Sequence, residues 1–569
     1  MAYRWNPSPK LNDRKVDQLA QAMQLPPLIA QLLIQRGIES PEAVDKFFNP
    51  KLTDLHDPFL MKDMQQAIER IGVALKNNER ILVYGDYDVD GTTSVATVFS
   101  FFNKLSENME FYIPDRYKEG YGISKIGIDY AKETGVSLVI ALDCGTRSVE
   151  LIAYAKSLGI DFIVCDHHLP GDELPQAVAL LNPKRKDCSY PYKELSGCGI
   201  GFKLIQAYAQ ATDMPFEEPC KYLDLVAVST CSDIVEIMDE NRVFVYFGLK
   251  KLMDDPCIGL QALFNINQGK NTSEKKEYDV SDIVFGIGPK INAAGRIADA
   301  KSSVKLLIET DFHNAIQFAK TLQENNTERK DIDFDITKEA QEILENSETL
   351  RAKKSTVLYS EKWHKGVIGI VASRLIETYY KPTIIFSEVN GMLTGSARSV
   401  KDFDVHEAIG ACGDLVVQYG GHKYAAGLTI KKESFEAFSK KFEEIVTQNS
   451  TDEMLTPEIA YDMEVDFNAV NMPFYQLLNK FKPHGPGNMA PIFRTNNVLD
   501  AGSKVVKEKH LKLSGRQGYA KMDGIGFNLS DAYAFIESQN PFDVCYSIEI
   551  NDYKGNRSLQ LKVRDVRPS

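Results

Sequence analysis

Three apolar runs of strand length punctuate the first third of the chain, and each stops at acidic residues. Ile81-Leu82-Val83-Tyr84 leads into Gly85-Asp86-Tyr87-Asp88-Val89-Asp90-Gly91. Ser137 to Leu142 ends at Asp143-Cys144-Gly145-Thr146, and Asp161 to Cys165 ends at Asp166-His167-His168. Near-continuous apolar runs are what the strands of a doubly covered parallel sheet show. Helical spacing fills the intervals, at about 62–77, 92–105, 148–158, 200–212 and 216–229. Strands alternating with helices predict an α/β domain with a parallel sheet, and right-handed crossovers bring the acidic strand ends to one edge. Leu260 to Phe264 and Ser281 to Phe285 read as a helix and a short connector, and Gly286 to Arg296 as a glycine-bearing loop.

The flanking segments differ. Residues 1–50 carry short amphipathic stretches (Leu19, Ala22 and Met23, then Ile29, Leu32 and Leu33) and predict a helical cap on the domain next in sequence. Ser40-Pro41 starts a helix there, with Ser40 as its N-cap. From 311 to 347 there is no glycine or proline, and Phe318, Leu322, Ile332, Ile336 and Ala340 recur among charges, the pattern of one or two long helices. A second α/β unit starts near 353, with strands at Ser355–Tyr359 and Thr383–Phe386 around a helix from Gly366 to Ile376. Beyond 455, short strands alternate with turns such as Lys554-Gly555-Asn556. The expected division is 1–50, a cap; 51–310, the main α/β domain; 311–350, a helical connector; 351–454, a smaller α/β domain; 455–569, a β-domain.

Composition narrows the class. The chain of 569 residues is 43% hydrophobic and 25% charged, an ordinary globular balance. Its nine cysteines include no Cys-x-x-Cys pair, which argues against a disulfide frame or a zinc site. No apolar signal core opens the sequence and no run reaches transmembrane length, so a cytoplasmic protein without membrane contact is expected. A net charge of -13 argues against broad nonspecific binding to nucleic acid. Yet residues 501–569 hold eleven Lys/Arg against eight Asp/Glu. Basic short strands with aromatic residues suit either a single-strand-binding barrel or an ordinary β-domain.

The acidic ends carry the chemistry. Asp-x-Asp-x-Asp-Gly opens an EF-hand, but that loop needs a glutamate at its twelfth position and a helix before it. Here the twelfth position is Thr97 and a strand precedes. An acidic surface turn would explain one cluster alone. Three clusters at three strand ends, with Asp233 after a helix at a fourth position, point instead to bound cations. Oxygen ligands with an imidazole suit Mn²⁺ or Mg²⁺. Two such ions clamp the oxygens of phosphoryl transfer, so phosphoester hydrolysis is the reaction class expected.

Asp166-His167-His168, with Gly-Asp-Tyr-Asp-Val-Asp-Gly upstream, resembles the DHH phosphoesterase superfamily. The longer pattern is similar to the RecJ-type single-strand-specific exonucleases. It adds Gly288-Pro-Lys-Ile-Asn-Ala-Ala-Gly-Arg296, Gly395-Ser-Ala-Arg398, Gly420-Gly-His422 and Pro483-His-Gly-Pro-Gly-Asn488. The resemblance implies a 5′→3′ exonuclease that degrades single-stranded DNA to mononucleotides in repair and recombination, with an OB-like barrel at the C-terminus. A single-strand-binding protein and a helicase are its implied protein partners, and a monomer its implied state. Asp88, Asp90, Asp143, His167 and Asp233 would hold two ions, with Asp143 bridging. His168 would meet the scissile phosphate and Asp166 would orient a histidine. Other DHH enzymes place a histidine ligand where this chain has Tyr84, and Asp86 is expected to take over that coordination. Arg116, Ser396 and Arg398 would bind a 5′-phosphate, and Arg296 and His422 would meet the substrate between domains.

Each assignment has a plainer alternative. A lone arginine is usually a surface charge, and His422 after two glycines would serve equally as a helix cap. Tyr117 and Tyr121 suit base stacking or packing alike. Three rival functions remain: a phosphodiesterase for short RNA or cyclic dinucleotides, a manganese pyrophosphatase, and a non-catalytic single-strand binder. Chain length and the extra terminal domain weigh against the first two. The complete set of carboxylates weighs against the third.

Overall fold

Alternate residues of the strand Ile81–Gly85 feed two different cores. Ile81 and Val83 pack with Leu138, Ile140 and Ile163 on one side, while Leu82 and Tyr84 pack with Val139, Ala141, Phe162 and Val164 on the other. A strand loaded on both faces must lie between layers of helices. The computed structural model describes residues 3–266, 277–553 and 555–569 and shows that arrangement. Five parallel strands lie in the spatial order Met109–Tyr112, Ile81–Gly85, Leu138–Leu142, Asp161–Cys165, Ala179–Leu181. The chain leaves Ile81–Gly85 for a neighbour on one side and returns to pair on the other. A topological switch point, the usual ligand crevice of open α/β sheets, therefore lies between Ile81–Gly85 and Leu138–Leu142. The loops bearing Asp86–Asp90 and Asp143 leave the sheet there.

Two local readings need correction. The helix after the first strand spans Val89–Phe102, not 92–105, because the Asp88 side chain accepts from Gly91 N at 3.0 Å and caps it. Asp90 consequently sits in the first helical turn. The segment read as a glycine-bearing loop contains a helix, Gly288–Ile297. Pro289 stands in its first turn, where the missing N–H costs nothing. Gly295 serves close approach rather than a turn: a Cβ there would lie 2.8 Å from Tyr87 O.

The predicted long helix is a single one, Phe312–Glu345, 34 residues and about 50 Å long. Ala315, Ala319 and Leu322 belong to the core of the first domain, whereas Ile336, Ala340 and Leu344 belong to a core of the second. The second sheet is mixed, in the order Val416–His422, Ala425–Lys431, Met392–Arg398, Thr383–Val389, Thr356–Ser360. His422 ends an edge strand of a β-hairpin, so it caps no helix.

The two ends of the chain meet. The N-terminal helices Asp13–Met23, Pro27–Gln35 and Pro41–Phe48 share one apolar core with Met463, Phe481, Phe493 and Val544. They therefore pack with the C-terminal domain, and they also meet the domain next in sequence, where Arg242 Nε donates to Phe47 O at 2.8 Å. Strand Arg4–Pro7, which the hydrophobic pattern misses, pairs in parallel with Glu458–Tyr461. In the C-terminal domain five strands close into a ring, because Phe493–Asp500 pairs with both Phe542–Tyr553 and His510–Gln517. Ala520–Gly526 and Asn556–Pro568 complete it. Lys554 of the expected turn lies outside the described residues. No helix among those described is long and apolar enough to cross a membrane.

Candidate active site

The switch point gathers four elements. Asp90 comes from the first turn of Val89–Phe102, Asp143 from the end of Leu138–Leu142, and His167 and His168 from the end of Asp161–Cys165. Asp233 comes from the C-terminus of Leu223–Ser232. Ligand atoms of Asp90, His167 and Asp233 lie within 4.8 Å of one another, and so do those of Asp143, His167 and His168. His167 joins the two groups: its Nε2 is 3.2 Å from Asp143 Oδ1, 3.5 Å from Asp233 Oδ2 and 3.7 Å from Asp90 Oδ2.

The backbone is bent to make this possible. Asp143 holds a left-handed conformation, φ 59°, unusual for a non-glycine residue and characteristic of functional sites. A Cβ on Gly197 would come 2.7 Å from Asp143 Cβ and 2.9 Å from Asp90 Oδ2, so only glycine fits there. Asp90 is tied to the N-terminus of helix Gly197–Ala211, accepting from Gly197 N at 2.6 Å and Cys198 N at 2.8 Å, and from Ser229 Oγ at 2.6 Å. Helix N-termini favour such a charge. Asn292 Oδ1 accepts from Val89 N at 3.1 Å and braces the same loop. Gly197 and Ser229 escape a reading of the sequence, and Asn292 falls inside the motif Gly288–Arg296 without its bracing role being evident there. Only the run Ser196-Gly197-Cys198-Gly199 hints at an N-capped helix start built for close approach.

Unanswered polar atoms mark the centre. Asp86 Oδ2, Asp143 Oδ1, Asp233 Oδ2 and both ring nitrogens of His167 are buried without a hydrogen-bond partner. His167 Nε2 and Asp143 Oδ1 are close but not aligned to bond. Burial, then the neighbouring carboxylates Asp90 and Asp88, raises the Asp143 pKa well above the carboxylate range; burial and the same two neighbours do so for Asp233. Burial lowers the His167 pKa and leaves a neutral imidazole. Buried acceptors and a neutral imidazole that face one another, unbonded, are a donor set for divalent cations.

His168 is set differently. Its Nδ1 lies 2.7 Å from Asp166 Oδ1, and Asp166 Oδ2 accepts from Thr146 N at 2.8 Å. Burial pulls the His168 pKa down, but the bond and charge of Asp166 outweigh it and hold it above the ordinary value. Asp166 is correspondingly depressed, against its own burial. Tyr84 takes no part: it is buried, donates to Gly122 O at 2.9 Å and stacks on Tyr112. Asp88 turns to its capping role, and Asp86 Oδ1 accepts from Gly122 N at 3.3 Å. Both stay on the same loop but outside the two close groups.

A second cluster faces the first with opposite sign. Arg296 donates to Gly366 O at 3.2 Å, and its own carbonyl accepts from Tyr117 Oη, so the two α/β domains touch here. Burial lowers the Arg296 pKa to about 10, with Arg116, Arg398 and Arg329 adding to the effect. Burial and Arg116 lower that of Arg398 as well. Among the described residues, Arg116, Arg296 and Arg398 form no ion pair with a carboxylate. Arg116 lies over the Tyr87 ring at 5.0 Å. Arg398 Nη1 bonds Ser396 Oγ at 3.1 Å, and both pack so close to Gly369 that a Cβ there would meet each at 2.8 Å. His422 stands apart on the exposed hairpin, paired with Ala425, whose other neighbour is Arg398.

Family models match the chain in three places: the N-terminal domain of the DHH family over residues 80–230, the DHHA1 domain over 353–448 and the RecJ OB domain over 461–565. The single-stranded-DNA-specific exonuclease RecJ of Bacillus subtilis is 35% identical, over 98% of this chain and 70% of its own. That of Escherichia coli is 32% identical, over 98% of this chain and 99% of its own. The RecJ structure from Thermus thermophilus with Mn²⁺ superposes with a TM-score of 0.84, at 24% identity, covering all of this chain and 80% of that one. A manganese-bound RecJ structure at 28% identity has a TM-score of 0.60, over 71% of this chain and 98% of that one. The chain belongs to the RecJ family of DHH proteins.

Proposed function

We propose that the protein is a metal-dependent exonuclease that degrades single-stranded DNA from the 5′ end to mononucleotides, in repair and recombination. One observation carries the reading: beside the unanswered buried acceptors stand half-buried arginines that make no ion pair among the described residues, Arg116 and Arg296 from the same domain and Arg398 from across the domain boundary. A phosphodiester between two cations and an arginine cluster satisfies both. Asp86, Asp88, Asp90, Asp143, His167 and Asp233 would hold the ions. Mn²⁺ or Mg²⁺ there supplies Lewis acidity to phosphate oxygens and lowers the pKa of water.

The protein's own groups do the rest. His168, whose pKa the bond and charge of Asp166 raise, donates to the scissile phosphate and stabilises its developing charge. Arg116, Arg398 and Ser396 take a terminal 5′-phosphate, for which an arginine fork is suited. Arg296 and His422 meet the strand at the domain boundary. With domain limits near 50, 310, 350 and 454, this cleft would run between two α/β units. The strand ring grips the chain beyond the cut. Lys504 is opposite Lys512, Lys512 opposite Ile525 and Ile525 opposite Lys562, one cationic row across four strands. His510 and Phe527 pair beside it at 5.3 Å, and a basic row with an aromatic pair suits single strands.

The test is digestion of 5′- and 3′-labelled single strands and of duplex with Mn²⁺. Early labelled mononucleotide from the 5′-labelled single strand is expected. Early release from the 3′-labelled strand alone overturns the polarity, and equal loss of blunt duplex overturns the strand specificity.

A further inference from the structure

Tyr121 has no role in that scheme, yet its hydroxyl touches the centre twice. It lies 3.0 Å from His168 Nε2 and donates to Asp143 O at 3.3 Å. The ring meets His168 edge-on at 5.7 Å and Tyr87 at 6.1 Å, and more than half of it is exposed. His168 Nδ1 is committed to Asp166, so Nε2 is the nitrogen left to face substrate. A ring nitrogen makes one good in-plane hydrogen bond. A phosphate oxygen that reaches Nε2 must therefore take the place of the Tyr121 hydroxyl.

The surrounding backbone lets the ring give way without disturbing the site. Gly120 and Gly122 flank it at φ +86° and +82°. On either side the chain is pinned: Glu119 accepts from Tyr112 Oη at 3.0 Å, and Gly122 O accepts from Tyr84 Oη at 2.9 Å. Movement is confined to one side chain between two anchors. A displaced phenol that also gives up its 3.3 Å bond to Asp143 O lies beside an anion, and its O–H is then a free donor.

We propose that Tyr121 is a further catalytic residue: the scissile phosphodiester displaces its hydroxyl from His168, and the hydroxyl then donates a hydrogen bond to a non-bridging oxygen of that phosphate. No proton is transferred and no bond to Tyr121 forms. The inference rests on the exonuclease reading above and adds a second, neutral donor beside His168.

Steady-state hydrolysis of a 5′-phosphorylated single strand tests it, with wild type and Asp143→Ala as controls and Mn²⁺ binding followed by calorimetry. Tyr121→Phe is expected to lower kcat about 10²-fold, the loss of one preorganised donor, with KM and Mn²⁺ affinity held within about twofold. Tyr121→Leu should match it. Retention of kcat within about threefold in Tyr121→Phe overturns the proposal. So does a loss that comes with weaker Mn²⁺ binding, or a Leu variant far worse than Phe, since either assigns the effect to packing. Failure of the wild type itself to cleave the strand refutes the exonuclease reading instead, and is visible before any Tyr121 variant is compared.

Discussion

Two buried polar clusters of the first domain invite comparison. Around Glu240 every charge is answered. Lys203 Nζ donates to Glu240 Oε1 at 2.8 Å and to His56 O at 2.6 Å; Tyr190 donates to Glu240 Oε2 at 2.6 Å, and His56 N to Oε1 at 2.9 Å. Both Lys203 and Glu240 are wholly buried. Asp143 itself is as deeply buried, yet its Oδ1, Asp233 Oδ2 and both nitrogens of His167 go unanswered. Depth of burial does not separate a structural charge from a working one. Satisfaction does. A fold holds unpaired buried carboxylates together only if something outside the chain pairs them, and the free energy of that arrangement is supplied at binding.

The largest effect should come from the unanswered cluster. Asp143→Asn keeps the shape, removes one negative charge and should lower hydrolysis by at least about 10³-fold. In EDTA the same variant should melt higher than wild type, because burial and the like charges of Asp90 and Asp88 already act against the ionised form. A lower melting temperature in EDTA would break the comparison. Glu240→Ala should do the reverse. Loss of one partner from a buried pair costs about 3–5 kcal/mol, whereas an apolar Lys203→Met, Glu240→Leu pair costs far less. Denaturant unfolding reads both, and turnover per folded molecule should stay within about twofold in each. Equal damage from the single and the double replacement would show that packing, not pairing, sets the cost.

Much of this was legible in the chain. The apolar runs ending at Asp86, Asp143 and Asp166 placed the sheet edge correctly, because a strand buried on both faces leaves an uninterrupted signature. Edge strands leave none: Met-Glu-Phe-Tyr at 109–112 and Ala-Leu-Leu at 179–181 are too short to stand out. The Gly288–Ile297 helix was hidden by glycines used for contact rather than for turning. The meeting of residues 1–50 with the C-terminal core depends on partners more than 400 positions away, a separation no local pattern reports. Within the site, carboxylates announce themselves by type and spacing. Gly197, Ser229 and Asn292 do not, since their service is to hold other residues.

A third group, half-buried, stays uncharged rather than finding a counter-charge, and it sharpens the comparison at its weaker end. His484 lies in the loop Phe481–Asn488, whose Pro486 O accepts from Ile237 N at 2.8 Å, four residues beyond Asp233. Burial lowers its pKa to about 4; the contact of Nδ1 with Asn488 O opposes this, and the charges of Arg36, Lys482 and Arg242 add to it. In the unfolded chain the imidazole titrates near 6.5. As pH falls below that value the unfolded state takes up a proton the folded state refuses until about 4. Stability contributed by neutral His484 is therefore full above about 6.5 and drains away toward pH 4, by about 1–3 kcal/mol in all. His484→Gln cannot titrate. Carboxylates act alike in both proteins, so the difference between their stability–pH curves isolates the histidine. It should slope between about 6.5 and 4 and lie flat above. A flat difference throughout would mean that the loop admits the charged ring, and that the polar groups behind Asp233 are less strictly held than those around Glu240.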